Sequence, residues 1–545
     1  MRMPSGSQHT FSQVPRAEIP RSSFDRSHGH KTTLDAGYLV PVFVDEALPG
    51  DTFNVNMTGF ARLTTPLHPY MDNAYFNSFF FAVPIRLLWE NWEKFNGAQT
   101  NPGDSTDFLI PEIVAPNEGW AHGSLSDYIG LPVGVPNLRT SALWHRAYNL
   151  IWNEWFRDQN LQQSVEVPTG DGPDVPDDYT LLRRGKRHDY FTSSLPWPQK
   201  GESVSIPLGA TAPVIGTGTV PVGIQASGDL LPVFKTNNGR AQKLGTNSNN
   251  NNANANAFDG QQNAFSDLFW QDPKLAGTAD MSGVQLTADL SEATAATINQ
   301  LRQAFQVQRL YERDARGGTR YTEIVRSHFG VTSPDARLQR PEYLGGGQSP
   351  VNIHQVEQTS ASKEQPTPQG NLAAFGTSIM TKHGFSKSFT EHCVIIGMVC
   401  VRADITYQQG LNRMFSRRSR FDFFWPALAH IGEQAVLSKE IYCDGTADDE
   451  SVWGYQERFA EYRYKPSQIT GQMRSSYPQS LDTWHLAQDY ATRPLLNGKF
   501  IEENPPIDRV IAVPTEPHFL ADFHFRMRCA RPMPIFGVPG MMDHF

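Results

Sequence analysis

Residues Phe519–Arg528 read FLADFHFRMR. Phe519, Ala521, Phe523, Phe525 and Met527 fall on one side of a period of two, and Leu520, Asp522, His524, Arg526 and Arg528 on the other. Successive side chains of an extended chain point to opposite faces, so this spacing predicts a strand with one dry face and one largely polar face. A helix would spread the same apolar residues around its axis.

Working outward, HCVIIGMVCVRADITY (His392–Tyr407) is continuously apolar at its centre. That pattern predicts a strand buried on both faces. Near the other end of the chain, Phe53, Val55 and Met57 alternate with polar residues. The phase then shifts at Thr58-Gly59-Phe60, which predicts a bulge. NAYFNSFFFAV (Asn73–Val83) is a further aromatic strand. Strands near both ends, with other sequence between them, predict a mainly β barrel or sandwich whose paired strands lie far apart in the chain.

The intervening sequence changes period. Trp144, Tyr148, Ile151 and Trp155 form one stripe in a helix expected over Ser141–Asn160, with Ser141 as N-cap and the stripe as core. Ile85, Leu88, Trp92 and Phe95 share a helical face ending at Gly97. A helix with Ile298, Leu301 and Phe305 on one face ends at Gly317-Gly318, and a shorter one, YTEIVRSHFG, ends at Gly330. Gly345 to Gly347 reads as a turn or hinge in a long loop.

Of the 545 residues, 39% are hydrophobic and 11% aromatic, enough to bury a large core. With 43 Gly and 39 Pro, turns and extended segments outweigh long helices. The net charge of −9 excludes a protein that coats nucleic acid with its whole surface, but leaves room for local basic patches. Four cysteines, Cys393, Cys400, Cys443 and Cys529, have no metal-knuckle spacing and read as reduced, mostly buried thiols. The N-terminus has no apolar stretch of the signal-peptide kind, and CVIIGMVCV is too short to span a bilayer, so a soluble cytoplasmic product without membrane insertion is expected.

Four regions follow. Residues 1–31 are an expected extended basic arm, with Arg2, Arg16, Arg21, Arg26 and Lys31 against Glu18 and Asp25. Residues 32–194 and 291–545 carry the two parts of the β fold with helical insertions, and the second part ends in an extended Pro-rich tail. Residues 195–290 form an inserted subdomain. Its first half has almost no charge between Gly201 and Gln242 and predicts short strands with tight turns. Its centre is LGTNSNNNNANANAFDG, Leu244–Gly260. Extended, Asn252 to Ala257 would place Asn252, Asn254 and Asn256 on one face and Ala253, Ala255 and Ala257 on the other.

Catalytic signatures are absent: there is no HExxH, GxSxG or GxxxxGK[ST]. HGH at His28–His30 and EHC at Glu391–Cys393 each lack further ligands nearby. No cofactor is expected. One segment stands out. LNRMFSRRSRFDFFW sets Arg413, Arg417, Arg418 and Arg420 among Phe415, Phe421, Phe423, Phe424 and Trp425. Guanidiniums pair with phosphates and rings stack on unpaired bases, which suits single-stranded nucleic acid without sequence readout. The competing reading makes the rings core and the arginines salt bridges at a subunit contact. RLYERDARGGTR (Arg309–Arg320) is a second candidate, interrupted by Glu312 and Asp314.

Long stretches also resemble a known family. They include RSHGHKTTLDAGYLVPVFVDEALPGDTFNVNMTGFARL (Arg26–Leu63), RDARGGTRYTEIVRSHFGVTSPDARLQRPEYLGGG (Arg313–Gly347), TYQQGLNRMFSRRSRFDFFWPALAHIGEQAVLSKEIY (Thr406–Tyr442), YQERFAEYRYKPSQITGQMRSSY (Tyr455–Tyr477), NPPIDRVIAVP (Asn504–Pro514) and CARPMPIFGVPG (Cys529–Gly540). In this order they resemble the major capsid protein of gokushoviruses, a branch of the microviruses, which are small tailless phages with circular single-stranded DNA. The resemblance runs from about Ser22 to the C-terminus and lapses between about Leu195 and Leu290, where that family varies.

It implies an eight-stranded viral jelly roll with long helical and loop insertions. It implies self-assembly into a T=1 icosahedral shell around single-stranded DNA, built in the cytoplasm of a host bacterium together with minor virion proteins. It implies that the 195–290 insertion rises at the threefold axes and meets a host cell-surface receptor. The arm cations Arg2, Arg16, Arg21, Arg26 and Lys31, with Arg413, Arg417, Arg418, Arg420 and Phe421, become expected contacts to the genome. Asn249, Asn250, Asn251, Asn252, Ala253, Asn254, Ala255, Asn256 and Ala257 become the expected threefold or host-contact tip. A structural divalent cation fits the family, with no ligands assignable in this sequence. The alternative reading is a carbohydrate-binding or carbohydrate-cleaving jelly roll.

Overall fold

A computed structural model of the 545-residue chain describes residues 20–204, 298–332, 339–360 and 369–536, and the backbone of five short strands between 214 and 288. The chain divides into two compact units, Met1–Lys200 with Tyr311–Phe545, and Gly201–Leu310.

The first unit is built on one antiparallel sheet of nine strands. These are β1 (Ser22–Asp25), β2 (His28–Leu34), β3 (Val40–Ala47), β4 (Thr52–Leu63), β5 (Ala74–Pro84), β6 (Glu342–Glu357), β7 (Leu372–Ser388), β8 (Cys393–Ala403) and β9 (Phe519–Arg531). Strands β1 and β2 lie on β9 in a single register, Ser22 opposite Arg531 and Leu34 opposite Phe519, interrupted at Arg26-Ser27. They count as one broken strand, which makes the sheet an eight-stranded jelly roll. One half runs β1/β2–β9–β4–β7 and the other β6–β5–β8–β3. Long β6 joins the halves, pairing with β5 through its first part and β7 through its last.

FLADFHFRMR behaves as its alternation requires, with Phe519 to Met527 buried at every odd position and the even positions exposed. The odd residues join Phe53, Val55 and Met57 of β4 and Phe76 and Phe80 of β5 in one core between the halves. All of β8 is buried. Its Ile395, Val399 and Val401 enter that core, while Val394, Ile396, Met398 and Cys400 face a second apolar layer. The second layer is supplied by helix α1 (Leu143–Ile151), whose Ala147, Tyr148 and Ile151 pack there. Sheet dry on both sides explains the unbroken apolar run at 393–401. Cys393, Cys400 and Cys529 are buried free thiols and Cys443 is exposed; burial pushes Cys400 up to about 12.

Several local expectations need correction. Strand β4 has no bulge at Gly59: the alternation runs unbroken from Phe53 to Leu63. Gly59 takes an inward position because a Cβ there would stand 2.8 Å from Met380 and from the Phe523 ring, and Phe60 faces outward. The irregularity falls on the partner strand, between Met380 and His383 of β7. Ile85 to Phe95 is not one helix but a 3₁₀ turn, Ile85–Leu87, and a four-residue helical turn, Trp92–Phe95. Gly345 to Gly347 is neither turn nor hinge but strand, inside β6. The arm expected over 1–31 is sheet from Ser22 onward, because β9 offers its free edge to β1 and β2.

Helices α2 (Ile298–Arg316) and α3 (Tyr321–Phe329) match the sequence reading, with Gly318 and Gly330 left-handed at their ends. The 141–160 helix is shorter than expected. Its N-cap is Ala142, and it passes from α1 into a π turn at Trp152–Phe156. In the second unit, Val222–Ala226, Asp229–Lys235 and Ala241–Lys243 form an antiparallel three-stranded sheet, and Val214–Thr217 pairs with Gln285–Ala288. These are the short strands that the charge-poor sequence predicts.

One buried carboxylate ties stability to pH. Glu503 accepts the Ala403 N–H at 3.5 Å. Burial pushes its pKa up to about 7 against an ordinary value of 4.5, with Lys186, Arg184 and Arg402 opposing the rise. A folded value above the unfolded one means that the folded state holds the proton more tightly. Its contribution is therefore complete below about pH 4.5 and is lost as pH rises through about 7. Denaturation between those limits should show the Glu503→Gln variant losing less stability than the parent, by about 1–3 kcal/mol. Parallel curves for the two proteins would refute the assignment.

Candidate nucleic-acid interface

The Arg and aromatic segment at 413–425 is irregular, made of 3₁₀ turns at Arg413–Ser416 and Arg420–Asp422. Asn412 accepts the Met414 N–H and starts the first turn. Asp422 accepts the Arg418 and Ser419 N–H groups and folds the second. Those amides hold the Asp422 carboxyl down at about 2. Without helix or strand periodicity the rings cannot all turn inward. Phe415 is 70% and Phe421 65% exposed, with Phe423, Phe424 and Trp425 also exposed.

The arginines divide. Arg413 bonds Glu440 at 2.8 Å and the Ala435 carbonyl at 2.7 Å. Burial raises Glu440 while Arg413 lowers it. Arg417 meets Glu461 at 3.3 Å, both largely buried, and its guanidinium lies 4.3 Å from the Tyr462 ring centroid. These two are held within the chain. Arg420 is exposed and stacks on Trp425 at 4.7 Å. Arg418 is exposed, with no carboxylate partner among the described residues. Beside them a crevice of about 520 Å³ is lined by Arg413, Arg417, Arg418 and Arg458 together with the carboxylates of Asp422, Glu440, Glu450 and Glu461. Two arginines make intrachain salt bridges, while two arginines and the rings stay at the surface, so the rings are not the core of the competing reading.

The arm cations that the structure describes are also placed. Arg21 donates to the Gly50 carbonyl and Thr52. Arg26 forks onto Asp45 at 2.6 and 3.0 Å. Lys31 lies 3.4 Å from Asp522, both exposed, a contact worth little in water. Arg2, Arg16 and the tip residues Asn249 to Ala257 lie outside the described residues. His28 of the HGH stretch stacks on Phe525 and Phe43. No group of three His, Cys, Asp or Glu among the described residues could hold a metal ion. No helix among them is long and apolar enough to cross a membrane.

Sequence reasoning passed over a second basic run, RRGKRH at Arg183–His188. Its density of cations was a usable signal. What concealed it was the lack of rings in the same stretch, since they come from β5, β6 and the end of α1.

Known proteins share this sequence across its length. The signature of the capsid protein (F protein) family matches residues 12–541. Capsid protein VP1 of Bdellovibrio phage phiMH2K is 50% identical, covering 99% of this chain and 98% of that protein. Capsid protein VP1 of Chlamydia phage 1 is 44% identical over 99% of each. Capsid protein VP1 of Spiroplasma virus 4 is 38% identical over 98% of this chain and 97% of its own length. With a jelly roll and matches that run end to end, the chain belongs to the capsid protein (F protein) family, as its resemblance to gokushovirus capsid proteins implied.

Proposed function

We propose that this structural capsid subunit assembles with copies of itself into a T=1 icosahedral shell that encloses circular single-stranded DNA. The observation that carries the reading is the match to capsid proteins over 98–99% of each chain. Exposed Arg418 and Arg420 beside unburied rings support contact with unpaired bases and phosphates. The inserted segment, with its Asn and Ala tip, is assigned to the outer surface, at the threefold axis and toward a host receptor. Minor virion proteins complete the particle.

Electron cryomicroscopy of purified particles, with nuclease digestion of their contents, tests this. Uniform T=1 shells holding nucleic acid sensitive to a single-strand nuclease are expected. A stable monomer that binds or cleaves glycans would overturn the reading. Arg418→Ala with Arg420→Ala should leave shell yield unchanged and lower the DNA per particle at least about twofold, since each phosphate left without its cation weakens binding. Arg417→Ala should instead lower the yield of folded subunit, because it strands the buried Glu461 carboxylate. Equal DNA content in the double variant would remove Arg418 and Arg420 from the interface.

A further inference from the structure

A second cleft, of about 700 Å³, opens where RRGKRH meets the end of helix α1. Its size is that of a small-ligand site. One wall is a chain of rings from three elements. Phe79 and Phe81 of β5 contact Phe156 at 5.2 and 5.9 Å, and Phe81 contacts Trp155 and Tyr343 at 5.4 and 5.5 Å. Trp155 and Tyr343 are the accessible end, 37% and 43% exposed. The π turn at Trp152–Phe156 presents two of these rings and delivers Arg157 directly after them. Such turns recur at functional sites.

The opposite side is cationic. Arg157, Arg184, Arg187 and Arg320 line it. Arg184 Nη1 and Arg157 Nε are buried and lack hydrogen-bond partners among the described residues. Leaving a charged donor so costs about 1–3 kcal/mol or more, unless something else meets it. The Arg184 guanidinium lies 5.1 Å from the Phe79 ring centroid. Arg187 is exposed and has no carboxylate partner among the described residues. Like charges crowd here: burial and then Arg320 push Arg157 down, and burial followed by Arg184 and Arg187 do the same to nearby Arg402. The two carboxylates that reach the cleft are engaged. Glu323 holds Arg320 at 3.0 Å, and Asp158 accepts the Asn160 and Leu161 N–H groups.

We propose that this cleft holds one nucleotide of single-stranded DNA, with the base against Tyr343 and Trp155 and the phosphate among Arg157, Arg184 and Arg187. The proposal rests on the reading that the shell encloses such DNA, and locates a contact on it. An acidic peptide would satisfy the guanidiniums but would leave the Tyr343 ring without a flat partner, Trp155 already carrying the Arg340 guanidinium on one face at 4.6 Å. A nucleotide meets both.

Binding of a fluorescent oligothymidylate to the full chain, followed by anisotropy across a salt series, tests the site. Arg184→Gln with Arg187→Ala should weaken binding about tenfold or more and flatten the salt slope by about 0.7 for each phosphate no longer neutralised. Tyr343→Leu keeps every charge and should weaken binding about tenfold because the base has no ring to stack on, while Tyr343→Phe binds as the parent does. Arg187→Ala alone, at an exposed position, guards against misfolding and should flatten the slope by about half as much. Photocrosslinks from a bromodeoxyuridine oligonucleotide should fall on the peptides holding Trp155 or Tyr343. Unchanged affinity in the Arg184→Gln/Arg187→Ala double variant or in Tyr343→Leu, an unchanged salt slope in the arginine variants, crosslinks elsewhere, or displacement of the oligonucleotide by a glutamate-rich peptide at equal concentration would overturn the site. Particles that still contain single-stranded DNA in that event would leave the packaging reading standing. Parent particles without such DNA would sink the packaging reading itself.

Discussion

Replacing Arg146 with methionine is expected to destabilise the subunit by about 3–5 kcal/mol, enough to abolish assembly at physiological temperature. Arg146 on helix α1 and Asp174 are both almost inaccessible to water. The guanidinium forks onto the carboxylate at 2.8 and 2.5 Å, donates to the Leu88 carbonyl at 2.9 Å, and shares Asp174 with the Tyr179 hydroxyl. Every strong group in this cluster is met inside the protein. Removing the cation leaves a carboxylate in an apolar layer with one hydroxyl to oppose its charge. Desolvating an unpaired charge costs far more than the pair gains over water. Chemical denaturation of the soluble subunit measures the loss. Asp174→Asn should also destabilise, because its amide offers the Arg146 guanidinium and the Tyr179 hydroxyl one acceptor oxygen where the carboxylate offers two, and leaves the buried guanidinium without a counter-charge. A loss under about 1 kcal/mol for Arg146→Met would show that water reaches the site.

That ion pair was invisible in the sequence, and the reason is general. Arg146 lies inside a stripe of aromatic residues whose periodicity identified the helix, and Asp174 is 28 positions away in irregular chain. Periodicity reports which face of an element is dry, not which distant polar group ends up beside it. The same limit explains the site. Alternation at 519–528 and the apolar run at 393–401 foretold one strand buried on one face and another buried on both, because in each the information is local. The 413–425 segment drew notice because its cations and rings are adjacent. The cleft at Arg184 was missed because Phe79, Trp155 and Tyr343 reach it from separate elements. Gly59 misled for a related reason. A glycine in an alternating run looks like a break in phase, yet it marks an inward position already filled by Met380 and Phe523.

Gly346→Ala is expected to cost about 3 kcal/mol, at the upper end of what overpacking does to a core. A hinge glycine would respond in the opposite way. Alanine there restricts the unfolded chain and is neutral or stabilising by about 0.4–1 kcal/mol. Gly346 stands opposite Phe79 in the β6–β5 ladder. A Cβ on it would overlap the Ser78 carbonyl oxygen, which is backbone and cannot rotate away. Its neighbours are as crowded, with Gly347 against the His383 ring and Gly345 against the Gly384 carbonyl. Behind them Ser78 and Ser349 hold the two ring nitrogens of buried His383 at 2.8 and 3.0 Å, so that the three strands are cross-tied where they pass. Gly59→Ala provides the contrast. Its nearest neighbours are a methionine methyl and a ring edge, both side chains, and its cost should stay near about 1 kcal/mol. If both alanine variants unfold at the same denaturant concentration, backbone contact is not what reserves Gly346. If Gly346→Ala alone falls, the consequence reaches the cleft, because the β5–β6 pairing that it opens also carries Phe79, Phe81 and Tyr343. A subunit that still folds at low temperature should then lose oligothymidylate binding before it loses its sheet.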